Sequence, residues 1–233
     1  MVVAFAAEDA DERRQALVKV ARSKQAGEEW AIKGYMAVAL LDTDEQSRCV
    51  AIRALARTQD PRAAETTVKL LNFREYPPQD VRPPGPLCRW DATKALADLS
   101  AADAVPPELR EKARATLTER LRADPESQVR CEAARGLARY PMEETLRVLI
   151  SGLNDEAFAV VHQCEESLVQ LTGYTHNCDA LAWEEWLSAN DENPFARAGH
   201  VPESRRPPYR NRLEKAGYDV KRFMAWLIPG RKE

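Results

Sequence analysis

Aromatic residues are scarce in this 233-residue chain, at 7%, and glycine is scarcer, with nine. So little glycine, beside fifteen prolines, excludes collagen-like and low-complexity chains. No apolar run reaches the roughly 18–20 residues that cross a bilayer, which excludes helical insertion into a membrane. Neither sign of charge dominates. Lys and Arg number 34 against 37 Asp and Glu, a net charge of -3, which argues against a protein that coats nucleic acid. Motifs of common chemistry are missing too: no Gly-rich phosphate loop, no Gly-x-Ser-x-Gly and no His-Glu-x-x-His. His162-x-Cys164 and His176-x-Cys178 resemble metal ligands, but an i, i+2 pair on a helix faces two ways, and two ligands do not make a structural zinc site. No catalytic residue, metal or cofactor is therefore assigned. What remains, at 44% hydrophobic and 30% charged, is a soluble, helix-rich protein long enough to bury a core.

Five cysteines (Cys49, Cys88, Cys131, Cys164 and Cys178) are an odd, widely spaced set, expected as free thiols in a reducing compartment. The start of the chain leaves two readings open. Met1 to Ala7 is apolar and turns acidic at Glu8, either a plain amino-terminal stub of a cytoplasmic protein or the remnant of a longer export signal, with Ala4-Phe5-Ala6 as its small-x-small site.

Internal repetition decides the fold. Four segments share a phrase of Arg (in three of them), then small residues at the third and sixth places and Leu at the seventh. They begin at Arg48, Arg89 and Arg130, with a degenerate copy at Val161. The spacing is that of a helix whose small residues let a neighbour approach closely. Asp42 and Asp124 stand six residues before their Arg, Asp155 stands before Val161, and Pro83 occupies the Asp place of the second copy. On these residues the chain resembles the HEAT family of α-solenoids, in which an Asp between two helices is followed six residues later by an Arg. The resemblance implies an all-α, right-handed α-α superhelix of about five helix pairs, with a C-terminal helical tail. First helices are expected near 28–41, 62–73, 107–122 and 142–153, and second helices near 44–57, 87–99, 126–139 and 155–172. Residues 1–27 are expected to cap the stack, 28–190 to form the solenoid, and 191–233 to be a Pro/Arg-rich linker and tail packing on it. Leu171-Thr-Gly173 followed by Trp183 and Trp186 is similar to the closing repeat of many bacterial HEAT proteins, where such tryptophans seal the core.

In this family the second helices line a concave surface. Counting one, five and nine places from each Arg puts Arg53 and Arg57, Trp90 and Lys94, and Arg135 and Arg139 on that face, with Cys49 and Cys131 between them. Arg53, Lys94 and Arg135 form a basic ladder suited to an acidic segment of a partner protein, and Trp90 supplies an apolar anchor. Reversing the three to Glu is expected to abolish binding without altering the melting temperature. The other reading is a solvated face in which Asp91, Glu132 and Glu166 pair with these arginines. The expected function is a non-enzymatic protein-binding scaffold. The alternative is a HEAT-like DNA glycosylase, or another nucleic-acid-binding protein, using the same groove with Asp91 as its carboxylate.

Two segments stand apart. The Pro-rich connection 74–86 is either part of the working surface or a neutral insertion. Residues 201–233 carry nine Lys and Arg against four Asp and Glu, so the first 200 carry 25 against 33. Two tail helices are expected, 211–217 and 219–228, the second with Phe223, Trp226 and Leu227 on one face, docking as a cap or meeting a membrane surface or partner.

Overall fold

The computed structural model describes residues 5, 7–74, 81–190, 192–205 and 212–227. Among these are eleven α-helices and no strand. They are α1 (Ala10–Ala21), α2 (Glu29–Leu41), α3 (Glu45–Thr58), α4 (Pro61–Leu71), α5 (Pro86–Ala101), α6 (Arg110–Ala123), α7 (Ser127–Leu137), α8 (Glu143–Gly152), α9 (Phe158–Thr172), α10 (Ala180–Ala189) and α11 (Arg212–Leu227). Asp9, Asp44, Asp60 and Asp179 precede α1, α3, α4 and α10, and each carboxylate accepts a first-turn backbone N–H at 2.8–3.1 Å. Pro61 and Pro86 open α4 and α5, where the missing N–H is not needed. Gly173 closes α9 with φ +75°, and a Cβ there would also strike the Arg197 carbonyl.

The helices stack in two layers: α2, α4, α6, α8 and α10 in one, α1, α3, α5, α7 and α9 in the other. Helices of the second layer lie closer together, because small residues stand where they meet. Ala51 and Ala54, Ala92 and Ala95, Ala133 and Gly136, and Cys164 and Ser167 are all buried. At Gly136 a Cβ would lie 2.9 Å from Leu117 Cδ1 and 3.1 Å from the Ala97 Cβ. Tighter spacing on one side curves the stack toward that side, which makes the second layer concave. Leu55, Leu96, Leu137 and Leu168, the seventh-place leucines, fill the space between the layers.

The Asp–Arg pattern ties neighbouring repeats together rather than closing each repeat on itself. Arg13 binds Asp42 at 2.8 Å, Arg89 binds Asp124 at 2.8 Å and Arg130 binds Asp155 at 2.7 Å. Asp155, which lacks an Arg six residues on, is thus paired from the repeat before. Where Pro83 replaces the Asp, Arg48 donates instead to the Ala39 and Arg82 carbonyls, each at 3.0 Å, and its Nη2 is buried with no acceptor among the described residues. Arg13 was not anticipated. It stands 35 residues before Arg48, with Ala16 at the third place and Val20 at the seventh, so α1 is the second helix of a partial repeat as well as an end piece.

Several expectations need correction. The two tail helices are one, α11, which runs through Gly217. That glycine has nothing within 4 Å of a Cβ, and an exposed helical glycine costs only about 1 kcal/mol. Leu213, Val220 and Phe223 of this helix are exposed. The side chains of Trp226 and Leu227 lie outside the described residues, as do residues 75–80 of the Pro-rich connection. α7 stops at Leu137, not 139, because Tyr140 precedes Pro141 and is held out of the helical region. α9 begins at Phe158 rather than 155.

Candidate functional site

The concave layer brings Arg53 on α3, Trp90 and Lys94 on α5, and Arg135 on α7 onto one face, as the spacing requires. Arg57 lies at the end of α3. Arg139 follows α7 in the turn and is exposed. Trp90 is half-buried, whereas Cys49, placed on the same stripe by counting, is buried between α3 and its neighbours.

The ladder does not project free positive charge. Arg53 grips Asp91 through Nε at 2.8 Å and Nη2 at 2.7 Å, and Asp91 is only 3% exposed. Lys94 reaches Asp98 at 2.8 Å. Arg135 donates to the same Asp98 at 2.8 Å and to Glu132 at 2.7 Å. These bonds link α3 to α5 and α5 to α7. Burial works against the charge of Asp98, but hydrogen bonds from Lys94 and Arg135 more than offset it and hold the carboxyl below its usual range. Hydrogen bonding to Asp91 raises the Arg53 guanidinium above its ordinary value, against the effect of burial. Arg57 donates to the Ala21 carbonyl at 2.9 Å and so caps the end of α1. Of the pairings the solvated-face reading required, those of Asp91 and Glu132 are present, while Glu166 is bonded by Arg205 from the linker.

Two consequences follow for the expected residues. The Glu reversal of Arg53 is not a surface change: it would set a second carboxylate against buried Asp91 and destabilise the fold. Asp91, the carboxylate of the glycosylase alternative, has both oxygens committed to Arg53. Among the five cationic groove residues, Arg139 alone has no acceptor for its side chain among the described residues and stays exposed, with Trp90 the apolar member of the set.

One groove residue was missed by counting from the Arg place. Phe158, 74% exposed at the start of α9, lies one turn before His162 on the same stripe, with ring centroids 6.1 Å apart. Its signal was the four-residue spacing to His162, hidden because the helix was expected to begin earlier. Beyond it the stack is sealed as the tryptophans suggested. Trp183 is fully buried and donates Nε1 to Glu165 at 2.6 Å, and Trp186 meets it edge-on at 5.4 Å. Glu165 is itself fully buried and also accepts from Thr175 at 2.5 Å, the Cys178 N–H at 3.2 Å and Arg205 at 3.1 Å. The linker lies over this end, with Arg197 4.9 Å above the Tyr174 ring.

Residues 114–198 match the family model of HEAT repeats. No curated protein sequence matches the chain. Among solved structures it is similar to an engineered protein, at 20% identity and TM-score 0.54 over 83% of this chain and 91% of that one. It is similar also to a designed armadillo repeat protein, at 16% identity and TM-score 0.53 over 83% and 93%. At these identities the likeness is one of fold.

Proposed function

Because the chain is a HEAT/armadillo-like α-solenoid, a fold typical of protein-interaction scaffolds, we propose that it is a non-enzymatic scaffold holding a protein segment along its concave layer. One observation supports this above others. Trp90, Cys131, His162 and Phe158 present apolar and aromatic surface across α5, α7 and α9, with the exposed guanidinium of Arg139 on the same layer. A half-buried Trp and, two helices further along the layer, an exposed aromatic ring are the kind of anchors that dominate binding energy in interfaces. The partner segment is one with apolar side chains spaced to meet Trp90 and Phe158 and a carboxylate for Arg139. The acidic character assigned to it rests on few charges, since Arg53, Lys94 and Arg135 are bonded within the protein.

The test is affinity capture after nuclease treatment, comparing the wild type with Trp90→Ala/Arg139→Glu. Both positions lie outside the charge lattice, so the melting temperature should hold. A protein retained by the wild type and lost from the variant is the expected outcome. Equal retention by both baits would remove the groove from consideration, and loss of the capture on nuclease treatment would replace the protein partner with nucleic acid.

A further inference from the structure

The seam between α1 and α3 is built differently from the next seam of the same layer. Between α3 and α5, Arg53, five places after Arg48, is bonded to Asp91, two places after Arg89. Counted from Arg13 and Arg48, the matching places between α1 and α3 hold Val18 and Val50. Nine places after the Arg, where α5 carries Asp98, α1 ends in Arg22 and α3 carries Arg57. An apolar pair thus stands where the next seam has its ion pair, and cations stand where it has its carboxylate.

The outcome is a cleft of about 130 Å³ on the concave layer. Four apolar side chains line it, Val18, Ala21, Val50 and Ala54, with the guanidinium groups of Arg22, Arg53 and Arg57 and no carboxylate. Arg53 is committed to Asp91, and Arg57 gives one bond, to the Ala21 carbonyl at 2.9 Å. Arg22 is exposed and has no acceptor for its side chain among the described residues. Asp60 and Glu29, at the starts of α4 and α2, are bonded by Arg62 and do not offset these charges. The C-terminal ends of α1 and α3 oppose an anion with about half a negative charge each, against a full charge from each guanidinium. The volume is well below the roughly 300–1,000 Å³ of small-molecule sites, and suits a single side chain of a partner.

We propose that the α1–α3 cleft seats an acidic–apolar–acidic segment of a partner protein, its apolar side chain against Val18, Val50 and Ala54 and its carboxylates on Arg22 and Arg57. Alternate residues of an extended segment share a face, so the motif has the form Glu-x-Leu-x-Glu. Its carboxylates supply from outside what Asp91 and Asp98 supply within the next seam. The proposal deepens the groove reading and rests on it for the choice of a protein segment as occupant.

Titration of the isotope-labelled full chain with a Gly/Ser-flanked peptide carrying Glu-Ser-Leu-Ser-Glu, followed by NMR, tests it. Saturable shifts should cluster at residues 18–22 and 50–57. Replacing both Glu of the peptide by Gln, or its Leu by Gly, should weaken binding by about fivefold or more. Arg22→Glu, a change at an exposed side chain without a partner, should do the same while the rest of the spectrum stays in place. Trp90→Ala/Arg139→Glu should leave the peptide's affinity unchanged, because neither residue lines the cleft. The proposal fails if the peptide does not saturate these residues, if the Gln form binds as well, or if Arg22→Glu has no effect. Shifts centred on Trp90 and Phe158 instead would overturn the cleft while leaving the groove reading intact.

Discussion

Arg130 and Asp155 show what a single residue contributes to this stack. Their side chains are 9% and 11% exposed and joined by two bonds, 2.7 and 2.9 Å, across a repeat boundary. Burial opposes the Asp155 charge, but the Arg130 hydrogen bonds and the Ala157 N–H prevail and lower its pKa below the ordinary 3.8. A carboxylate depressed in the folded state adds stability that is complete above its unfolded pKa and is lost as pH falls through the folded one. Arg130→Ala should therefore cost about 3–5 kcal/mol near neutral pH in urea unfolding, because it strands a buried carboxylate. The gap between variant and wild type should then narrow below about pH 4, as protonation relieves Asp155 of its charge. A cost that stays constant down to pH 2 would mean that packing of the Arg130 stem, not the ion pair, accounts for the loss. This scale was the least legible in sequence. Arg53, Lys94 and Arg135 were visible as a basic row, and so were Asp91 and Glu132, but helix rotation alone could not say that one set would neutralise the other. Asp98, nine places after Arg89, falls on the same face, and only the distance between α5 and α7 makes it a shared acceptor.

At the scale of the element, the helices were readable and their ends less so. The Arg-x-x-small-x-x-small-Leu phrase marked the second helices because those places face a close neighbour, and Asp–Pro and Tyr–Pro marked boundaries by restricting backbone angles. What spacing could not give was the direction of pairing. Asp six residues before Arg reads as a contact within one repeat, yet the Arg reaches forward to the next Asp, as Arg89 does to Asp124. Pro83 then becomes informative. It removes the acceptor that Arg48 should find, leaving Nη2 buried and without an acceptor among the described residues. Pro83→Asp would supply a charged acceptor worth about 1.5–3 kcal/mol. Losing the rigidity of proline costs about 0.4–1 kcal/mol. A net gain of about 1–2 kcal/mol follows, read as a higher urea midpoint with an unchanged slope. An unchanged or lower midpoint would mean that the longer connection cannot bring residue 83 to Arg48.

At the scale of the molecule, a solenoid has no contacts beyond nearest neighbours, so its stability is a sum of repeats and of the interfaces between them. Those interfaces are unequal. The α5–α7 pair sits at the middle of the closely packed layer, joined by the Arg135–Asp98 bond and by the close approach at Gly136. α1 has a neighbour in its own layer on one side only, although Arg13–Asp42 fastens it. α10 is held through Trp183 and buried Glu165, to which Arg205 of the linker adds a charge partner. α11 follows that anchorage, and among its described side chains Leu213 is 85% and Val220 61% exposed. A helix of sixteen residues is marginal by itself, and its amide protection follows the apolar surface it buries. Native-state hydrogen exchange should therefore be slowest in α5 and α7, intermediate in α1 and α10, and fastest in α11. Deleting residues from 212 onward should leave protection in α5 and α7 unchanged, because among the described residues α11 is not one of the helices packed against them. If α11 instead exchanged as slowly as α9, and its removal lowered protection in the last repeat, the tail would be a structural cap of the stack in solution.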